Sequence, residues 1–147
     1  VAWIQGYCLG GGCGLAACVD IAVAGDDAVF GFSEVKLGII PAVISPFVLA
    51  KIGSGAARRY FLTGERFGPD VALRIGLVSE IGQDVEAVVA ELLTSGPAAV
   101  REAKRLVRPE PGDGRALAEL AARLRTSDEG QDGLRAFLER RKPGWTD

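Results

Sequence analysis

Short apolar runs separated by turn residues characterise the first half of the chain. Residues 1–5 form a β-rich run that predicts a strand. Three consecutive glycines at 10–12 then precede a segment of small apolar residues, 13–19, which predicts a buried helix. Two more short apolar runs predict further strands at 20–24 and 28–30. Strands on both sides of a buried helix indicate an α/β unit.

The pattern becomes helical after Pro41. One apolar segment stops at Gly53, and a second helix is closed by Gly64. The predicted helices span residues 42–52, 54–63, 69–76, 84–93, 97–107, 115–125 and 127–140, with a strand at 77–81 and a break at 109–112. This distribution predicts a strand-and-helix core over residues 1–81 and a helical tail over residues 82–147.

Composition narrows the class of protein. Hydrophobic residues make up 48% of the chain and the mean hydropathy is +0.21, which fits either surface buried in an oligomer or a core rich in small residues. The net charge is −2 and no basic stripe is present, so we expect no nucleic-acid partner. No apolar run approaches the roughly 20 residues that span a bilayer, so we expect no membrane partner. The first residues lack the charged flank of a signal peptide, and we expect a cytoplasmic protein.

Histidine is absent from the sequence. Its absence excludes Ser–His–Asp and Cys–His nucleophile systems and histidine-based metal sites. The cysteines are Cys8, Cys13 and Cys18, which are five residues apart and form no CxxC motif. We interpret them as buried small side chains and predict no metal site.

The triple glycine is the first candidate for chemistry. Glycine allows positive φ and close approach of a ligand, and the first N–H groups of a helix lack internal partners. Such a turn attracts negative charge, so it can bind a phosphate or the oxyanion of a thioester enolate. It can equally be a tight packing turn. The run is not GxGxxG, and no P-loop lysine follows it.

Glu34 is the second candidate, because it is a carboxylate within an apolar stretch. Apolar surroundings disfavour the charged form of a carboxylate, which suits proton exchange near neutrality. The alternative is a structural carboxylate that pairs with Lys36 or caps a turn at Ser33, and the residues alone favour that alternative. Asp20 is interpreted as a structural residue at the end of the first helix.

Several motifs resemble those of the crotonase (enoyl-CoA hydratase/isomerase) family. Residues 5–24 resemble its glycine-rich signature, and residues 30–41 resemble its F-x-x-P-E-x-x-L-G-x-x-P segment. Residues 60–64 and 72–78 are similar to its L-T-G and A-x-x-x-G-L-V stretches. Residues 129–145 match its terminal helix, which ends in K-P-x-W. The resemblance covers nearly the whole chain in the family's order.

The resemblance implies a crotonase-like ββα spiral core followed by a helical tail that trimerises, giving a homotrimer or homohexamer. It implies an acyl-CoA substrate, with coenzyme A entering as part of the substrate and no separate cofactor. The enolate would be held by two backbone N–H groups, one of them from Gly11. The other donor would lie before residue 1, so we expect the chain to be the carboxyl-terminal part of such a protein. The resemblance further implies substrate-binding roles for Gly10, Ala42, Phe137 and Lys142.

The carboxylates depart from the family's pattern. Hydratases of the family use two glutamates; the second matches Glu34, whereas the first falls at Gly14, which has no side chain. A single carboxylate leaves open a hydratase, a double-bond isomerase and a catalytically silent subunit. Residues 33–46 look most like the methylglutaconyl/carboxygeranoyl-CoA hydratase branch, whose members can also carry glycine at the first position. We therefore expect a lyase that adds water across the 2,3 double bond of an acyl-CoA, with Glu34 as the acid–base residue.

Overall fold

The computed structural model describes residues 1–107 and 114–146. The chain forms two compact units, residues 1–86 and residues 87–147. No helix within the described ranges is both long enough and apolar enough to cross a membrane.

The first unit begins with a repeated strand–strand–helix arrangement. Its elements are β1 (Ala2–Ile4), β2 (Tyr7–Leu9), α1 (Gly11–Cys18), β3 (Ala22–Ala24) and β4 (Val29–Gly31). The strand β1 pairs in parallel with β3, and β2 pairs in parallel with β4. The strands β3 and β4 therefore extend two separate sheets, as expected for a spiral of ββα turns.

The rest of the first unit completes both sheets. It contains a 3-10 helix (Ser33–Leu37), α2 (Ser45–Thr63), β5 (Arg66–Phe67), α3 (Pro69–Arg74) and β6 (Glu80–Ile81). The strand orders are β1-β3-β6 and β2-β4-β5. The contact between β4 and β5 is antiparallel, and the other pairings are parallel.

Two glycines interrupt the helical region as the sequence predicts. Gly53 lies within α2 at φ 71° and ψ 165°, so the helix kinks there into two segments. Gly64 ends the helix in the left-handed conformation, and its N–H donates to Tyr60 O. Both predicted helix ends are confirmed.

An aromatic cluster packs around the strand β4 that leads into the 3-10 helix. Phe30 and Phe32 are fully buried. The ring of Phe32 lies 4.9 Å from that of Phe61, and Phe67 lies 5.8 Å from Phe30 and 4.3 Å from Tyr60. Burial of a phenylalanine side chain stabilises a fold by about 1.5–3 kcal/mol. The backbone on both sides of residue 31 is therefore firmly held.

The helix α1 is fixed at its carboxyl end by a lysine from α2. Lys51 Nζ donates to Val19 O at 3.0 Å and to Asp20 O at 3.3 Å. Val19 is the C-cap residue of α1. A cation at this end interacts favourably with the helix dipole, so Lys51 joins α1 to α2.

The second unit is helical in its described residues. Its helices are α4 (Glu86–Leu93), α5 (Pro97–Leu106), α6 (Gly114–Thr126) and α7 (Asp128–Glu139). Ser127 caps α7, since its hydroxyl accepts from Gly130 N at 3.1 Å. The carboxylate of Glu129 accepts from the N–H groups of Ala98 and Ala99, both at 2.9 Å, and so caps the start of α5.

Residues of the terminal motif, 129–145, make contacts that hold this unit together. A Cβ added at Gly133 would lie 2.8 Å from Trp145 Cη2, so the absence of a side chain there lets the indole ring approach. Trp145 Nε1 donates to Thr94 O at 2.9 Å. Asp132 accepts from Gly144 N at 2.7 Å. The segment after α7 is thereby tied to both α4 and α7.

The structure differs from the sequence predictions in several places. Strands β2 and β5 were not predicted, because each has only two or three residues beside glycines. The predicted strand at 77–81 is reduced to Glu80–Ile81, since Leu77 and Val78 instead pack in the core after α3. Cys18 is exposed, so the prediction of three buried cysteines is wrong for that residue. The predicted break at 109–112 lies outside the described residues.

Candidate active site

Two parallel strands carry the candidate residues to the same edge of a sheet. Leu9 of β2 is paired with Gly31 of β4, and Gly10 N donates to Gly31 O at 2.8 Å. The chain continues from β2 into α1, and from β4 through Phe32 into the 3-10 helix that carries Glu34. Because parallel strands end at the same edge, the α1 turn and Glu34 lie side by side.

The turn at Gly10 requires glycine for two reasons. Its φ is 50° and its ψ is −115°, a backbone conformation that residues with a side chain rarely adopt. A Cβ at this position would also lie 3.1 Å from Glu34 Oε1. The carboxylate of Glu34 therefore lies directly against the backbone of the turn.

The N-terminus of α1 presents backbone donors beside this carboxylate. Gly14 N donates to Gly10 O at 3.2 Å, so the N–H groups of Gly11 and Gly12 precede the helical hydrogen-bond ladder. No atom lies within 4 Å of a Cβ added at Gly11, which leaves open space on that side. Negative charge is favoured at this end of a helix. A turn of this kind can hold an oxyanion.

Glu34 has a buried oxygen that the fold does not satisfy. Its Oε2 finds no hydrogen-bond donor among the described residues. No ion pair between Glu34 and Lys36 occurs in the part of the chain that is described. The alternative of a carboxylate paired with Lys36 therefore lacks support. A carboxylate with a free buried oxygen can exchange protons with a group that enters the site.

Gly14 lies one turn further along α1 and meets a residue that sequence analysis missed. A Cβ at Gly14 would lie 2.3 Å from Ile44 Cγ2 and 2.8 Å from Ile44 Cβ. Real Cβ atoms do not approach so closely, so Ile44 excludes any side chain at position 14. A glycine inside a helix predicted to be buried was the available signal that some neighbour is close, but it does not identify that neighbour.

One thiol of α1, that of Cys13, faces the core. Cys13 is fully buried, and its Sγ donates to Cys8 O at 2.8 Å. Hydrogen bonding with Cys8, followed by burial, raises the pKa of the Cys13 thiol. Cys13 is therefore a neutral packing group below the turn. No cluster of potential metal ligands occurs within residues 1–107 and 114–146.

The predicted substrate-binding residues lie in different places. Gly10 is part of the turn, and exposed Ala42 lies in the loop before α2. Phe137 and Lys142 belong to the second unit. Phe137 is 82% exposed on α7, and Lys142 lines a groove of about 650 Å³ together with Trp145. The geometry thus joins Gly10, Gly11 and Glu34, whereas the binding roles of the other residues stay predictions.

Comparison with known proteins identifies the family. The family model described as enoyl-CoA hydratase/isomerase matches residues 1–147. The chain belongs to the enoyl-CoA hydratase/isomerase family. The family membership and the crotonase-like α/β fold expected from the motifs are therefore confirmed.

Curated members of the enoyl-CoA hydratase/isomerase family resemble the chain over almost its whole length. It is 33% identical to the crotonyl-CoA hydratase of Syntrophomonas wolfei and 34% identical to the 2,3-dehydroadipyl-CoA hydratase of Escherichia coli. Each match covers 97% of this chain, but only 59% and 61%, respectively, of the relatives. The chain thus spans about three fifths of the length of these proteins.

Two solved structures superpose closely on the chain. An enoyl-CoA hydratase from Shewanella pealeana is 42% identical, with a TM-score of 0.85 over 97% of this chain and 58% of that one. AtuE from Pseudomonas aeruginosa is 38% identical, with a TM-score of 0.88 over 99% of this chain and 61% of that one. Identity at this level supports a shared fold throughout the matched region.

Proposed function

We propose that the full-length protein is an enoyl-CoA hydratase that adds water across the 2,3 double bond of an acyl-CoA thioester. The observation that carries the proposal is the buried, unpaired Oε2 of Glu34 beside the N-terminus of α1. A proton-transfer group next to a site for negative charge is the arrangement that enolate chemistry requires. The hydratase names of the relatives support the same reaction class.

In the proposed reaction, the thioester oxygen accepts a hydrogen bond from Gly11 N–H. The carboxylate of Glu34 takes a proton from water as the water oxygen bonds to C3 of the substrate. The π electrons of the double bond move to the thioester oxygen and form the enolate, whose charge the start of α1 stabilises. Glu34 then returns the proton to C2, which completes the addition with one carboxylate.

Double-bond isomerisation is the second candidate, and the relationship between Gly14 and Ile44 favours it. No carboxylate can stand at position 14 while Ile44 occupies that space. Shuttling a proton from C2 to C4 of a 3-enoyl-CoA needs one acid–base group and no water. A catalytically silent subunit is the third candidate, and the unpaired oxygen of Glu34 argues against it. The resemblance to the methylglutaconyl/carboxygeranoyl-CoA hydratase branch supports hydration.

Substrate and subunit contacts are part of the proposal. Gly10 and Ala42 would border the acyl group, Phe137 would contact the acyl chain, and Lys142 would bind a phosphate of coenzyme A. The large exposed fractions of Phe137 and Leu138 support packing of α7 on a neighbouring subunit in a homotrimer or homohexamer. Light scattering on the full-length protein at micromolar concentration tests the assembly, and a monomer would refute it.

Oxygen labelling separates the two reactions. The full-length protein is mixed with a 2-enoyl-CoA in ¹⁸O-labelled water, and a hydratase yields a labelled 3-hydroxyacyl product while the absorbance of the conjugated enone falls. An isomerase given a 3-enoyl-CoA raises that absorbance and incorporates no label. A protein that forms conjugated product but never takes up label is an isomerase, and the hydratase proposal then fails.

A further inference from the structure

Ile44 lies where a side chain of residue 14 would begin. The two atoms that a Cβ at Gly14 would meet, at 2.3 and 2.8 Å, both belong to the Ile44 side chain. The backbone Cα of Ile44 is further away, at 3.9 Å, which is ordinary contact distance. The obstruction is therefore made by one side chain rather than by the path of the backbone.

Position 14 lies one helical turn after the residue that borders the proposed catalytic carboxylate. Gly14 N donates to Gly10 O, so the two glycines are one helical turn apart. The added Cβ of residue 10 meets Glu34, and the added Cβ of residue 14 meets Ile44. Glu34 and Ile44 therefore border successive turns at the start of α1.

We propose that Ile44 determines how many carboxylates the site can hold. The helix α1 has no acidic residue of its own, and Ile44 fills the volume in which the side chain of one at position 14 would begin. Ile44 thereby restricts the site to single-carboxylate chemistry and gives it an apolar wall at this point. The chemical part of this inference rests on the proposed function of Glu34, whereas the steric part does not.

The position of Ile44 allows the obstruction to be removed without breaking α2. Ile44 is the N-cap residue of α2, and its φ of −86° and ψ of −16° are accessible to glycine. Glycine is tolerated at helix N-caps, whereas alanine would retain the Cβ that lies 2.8 Å from the added atom. Ile44→Gly is therefore the variant that opens the space.

The steric claim is tested by a thermal-unfolding cycle with Gly14→Ala, Ile44→Gly and the double variant. Gly14→Ala should lower the unfolding midpoint by several degrees in the natural background, because it collides with Ile44. In the Ile44→Gly background the same change should leave the midpoint unchanged or raise it, since alanine favours a helix interior over glycine. An equal loss in both backgrounds would overturn the inference. The cycle involves no turnover, so it is informative even if the proposed hydratase activity is absent.

The chemical claim is tested by comparing Gly14→Glu with Gly14→Gln, both combined with Ile44→Gly in the full-length protein. The glutamate variant should take up ¹⁸O from water into a 2-enoyl-CoA at least about tenfold faster than the glutamine variant, since a positioned carboxylate contributes about 10²–10⁴-fold. Its pH–rate profile should gain an ionisation that the glutamine variant lacks. Gly14→Glu without Ile44→Gly should unfold at lower temperature than the natural protein.

Equal rates and equal pH profiles in the two double variants would overturn the proposal that Ile44 limits the number of carboxylates. Failure of the Gly14→Glu double variant to fold, when the Gly14→Ala double variant folds, would overturn it as well, because the vacated volume would then not accept a glutamate. If the natural protein showed no turnover, the proposed function would be refuted, but the steric claim tested by the thermal-unfolding cycle would be unaffected.

Discussion

Gly10 and Glu34 are in direct contact across the start of α1: a methyl group on Gly10 would lie 3.1 Å from the carboxylate oxygen Oε1. Gly10 directly follows one strand and Glu34 follows the neighbouring parallel strand, so the sheet itself sets their separation. The turn that presents Gly11 N–H and the group that would move the proton are thereby held in one fixed arrangement. The proposed chemistry depends on this arrangement.

Replacement of Gly10 by alanine should disturb the site more than the fold. The sparsely populated conformation at φ 50° and ψ −115° disfavours alanine by about 1–3 kcal/mol, and the methyl group of alanine would push Glu34 aside. We expect kcat with a 2-enoyl-CoA to fall about 10²-fold, as for a misplaced catalytic group. Gly12→Ala is the matched control, because its methyl group would meet Cys8 Sγ at an ordinary 3.6 Å. Equal activity of the two variants would contradict the account.

Replacement of Lys51 by methionine should loosen the carboxyl end of α1. The variant keeps the apolar stem but loses the hydrogen bonds to Val19 O and Asp20 O. We expect a loss of about 1 kcal/mol in the free energy of unfolding, measured by urea denaturation. Arg58→Met, a change at an exposed position of the same helix, should alter it less. If both substitutions had the same small effect, Lys51 would not stabilise α1.

Acid should release the segment after α7. Gly144 N–H first, and then Arg141, lower the pKa of Asp132 from its ordinary value of 3.8. A lowered pKa means that the stabilisation is present above the unfolded-state value and is lost as pH falls through the folded-state value, below 3.8. In a Trp3→Phe protein, Trp145 fluorescence should therefore change below this pH.

Asp132→Asn should show the released signal already at neutral pH, since it cannot carry the charge. Asp70→Asn, an exposed change in the first unit, should leave the Trp145 fluorescence as it is in the Trp3→Phe protein. An acid transition that is identical with and without the Asp132 carboxylate would contradict this assignment.

Sequence patterns predict most of the helices because apolar periodicity and glycine stops are local signals. Gly53 and Gly64 end helical segments where predicted, and the conformations at both glycines explain why. Strands β2 and β5 were missed, since two or three residues carry no periodicity and exist only through pairing with β4. Ile44 was missed for a related reason. Its contact with Gly14 joins residues 30 positions apart, and no local pattern encodes such a contact.

The site could be predicted in its parts but not in its geometry. A triple glycine before a helix and a carboxylate in an apolar run were visible in the sequence, whereas their adjacency depends on the parallel register of Leu9 and Gly31. The residues next to Glu34 in the sequence favoured a structural role for this carboxylate over a catalytic one. Its unsatisfied Oε2 became evident only in the folded chain.

The measurement that tests the central claim most directly is the turnover of Glu34→Gln in the full-length protein, set against Glu65→Gln. Glu65 is a part-exposed carboxylate paired with Arg59, so the control makes the same chemical change away from the turn. With a 2-enoyl-CoA in ¹⁸O-labelled water, Glu34→Gln should slow label uptake by about 10²–10⁴-fold at an unchanged unfolding midpoint, whereas Glu65→Gln should retain the natural rate. Label uptake by Glu34→Gln at the natural rate would contradict the assignment of Glu34 as the acid–base group.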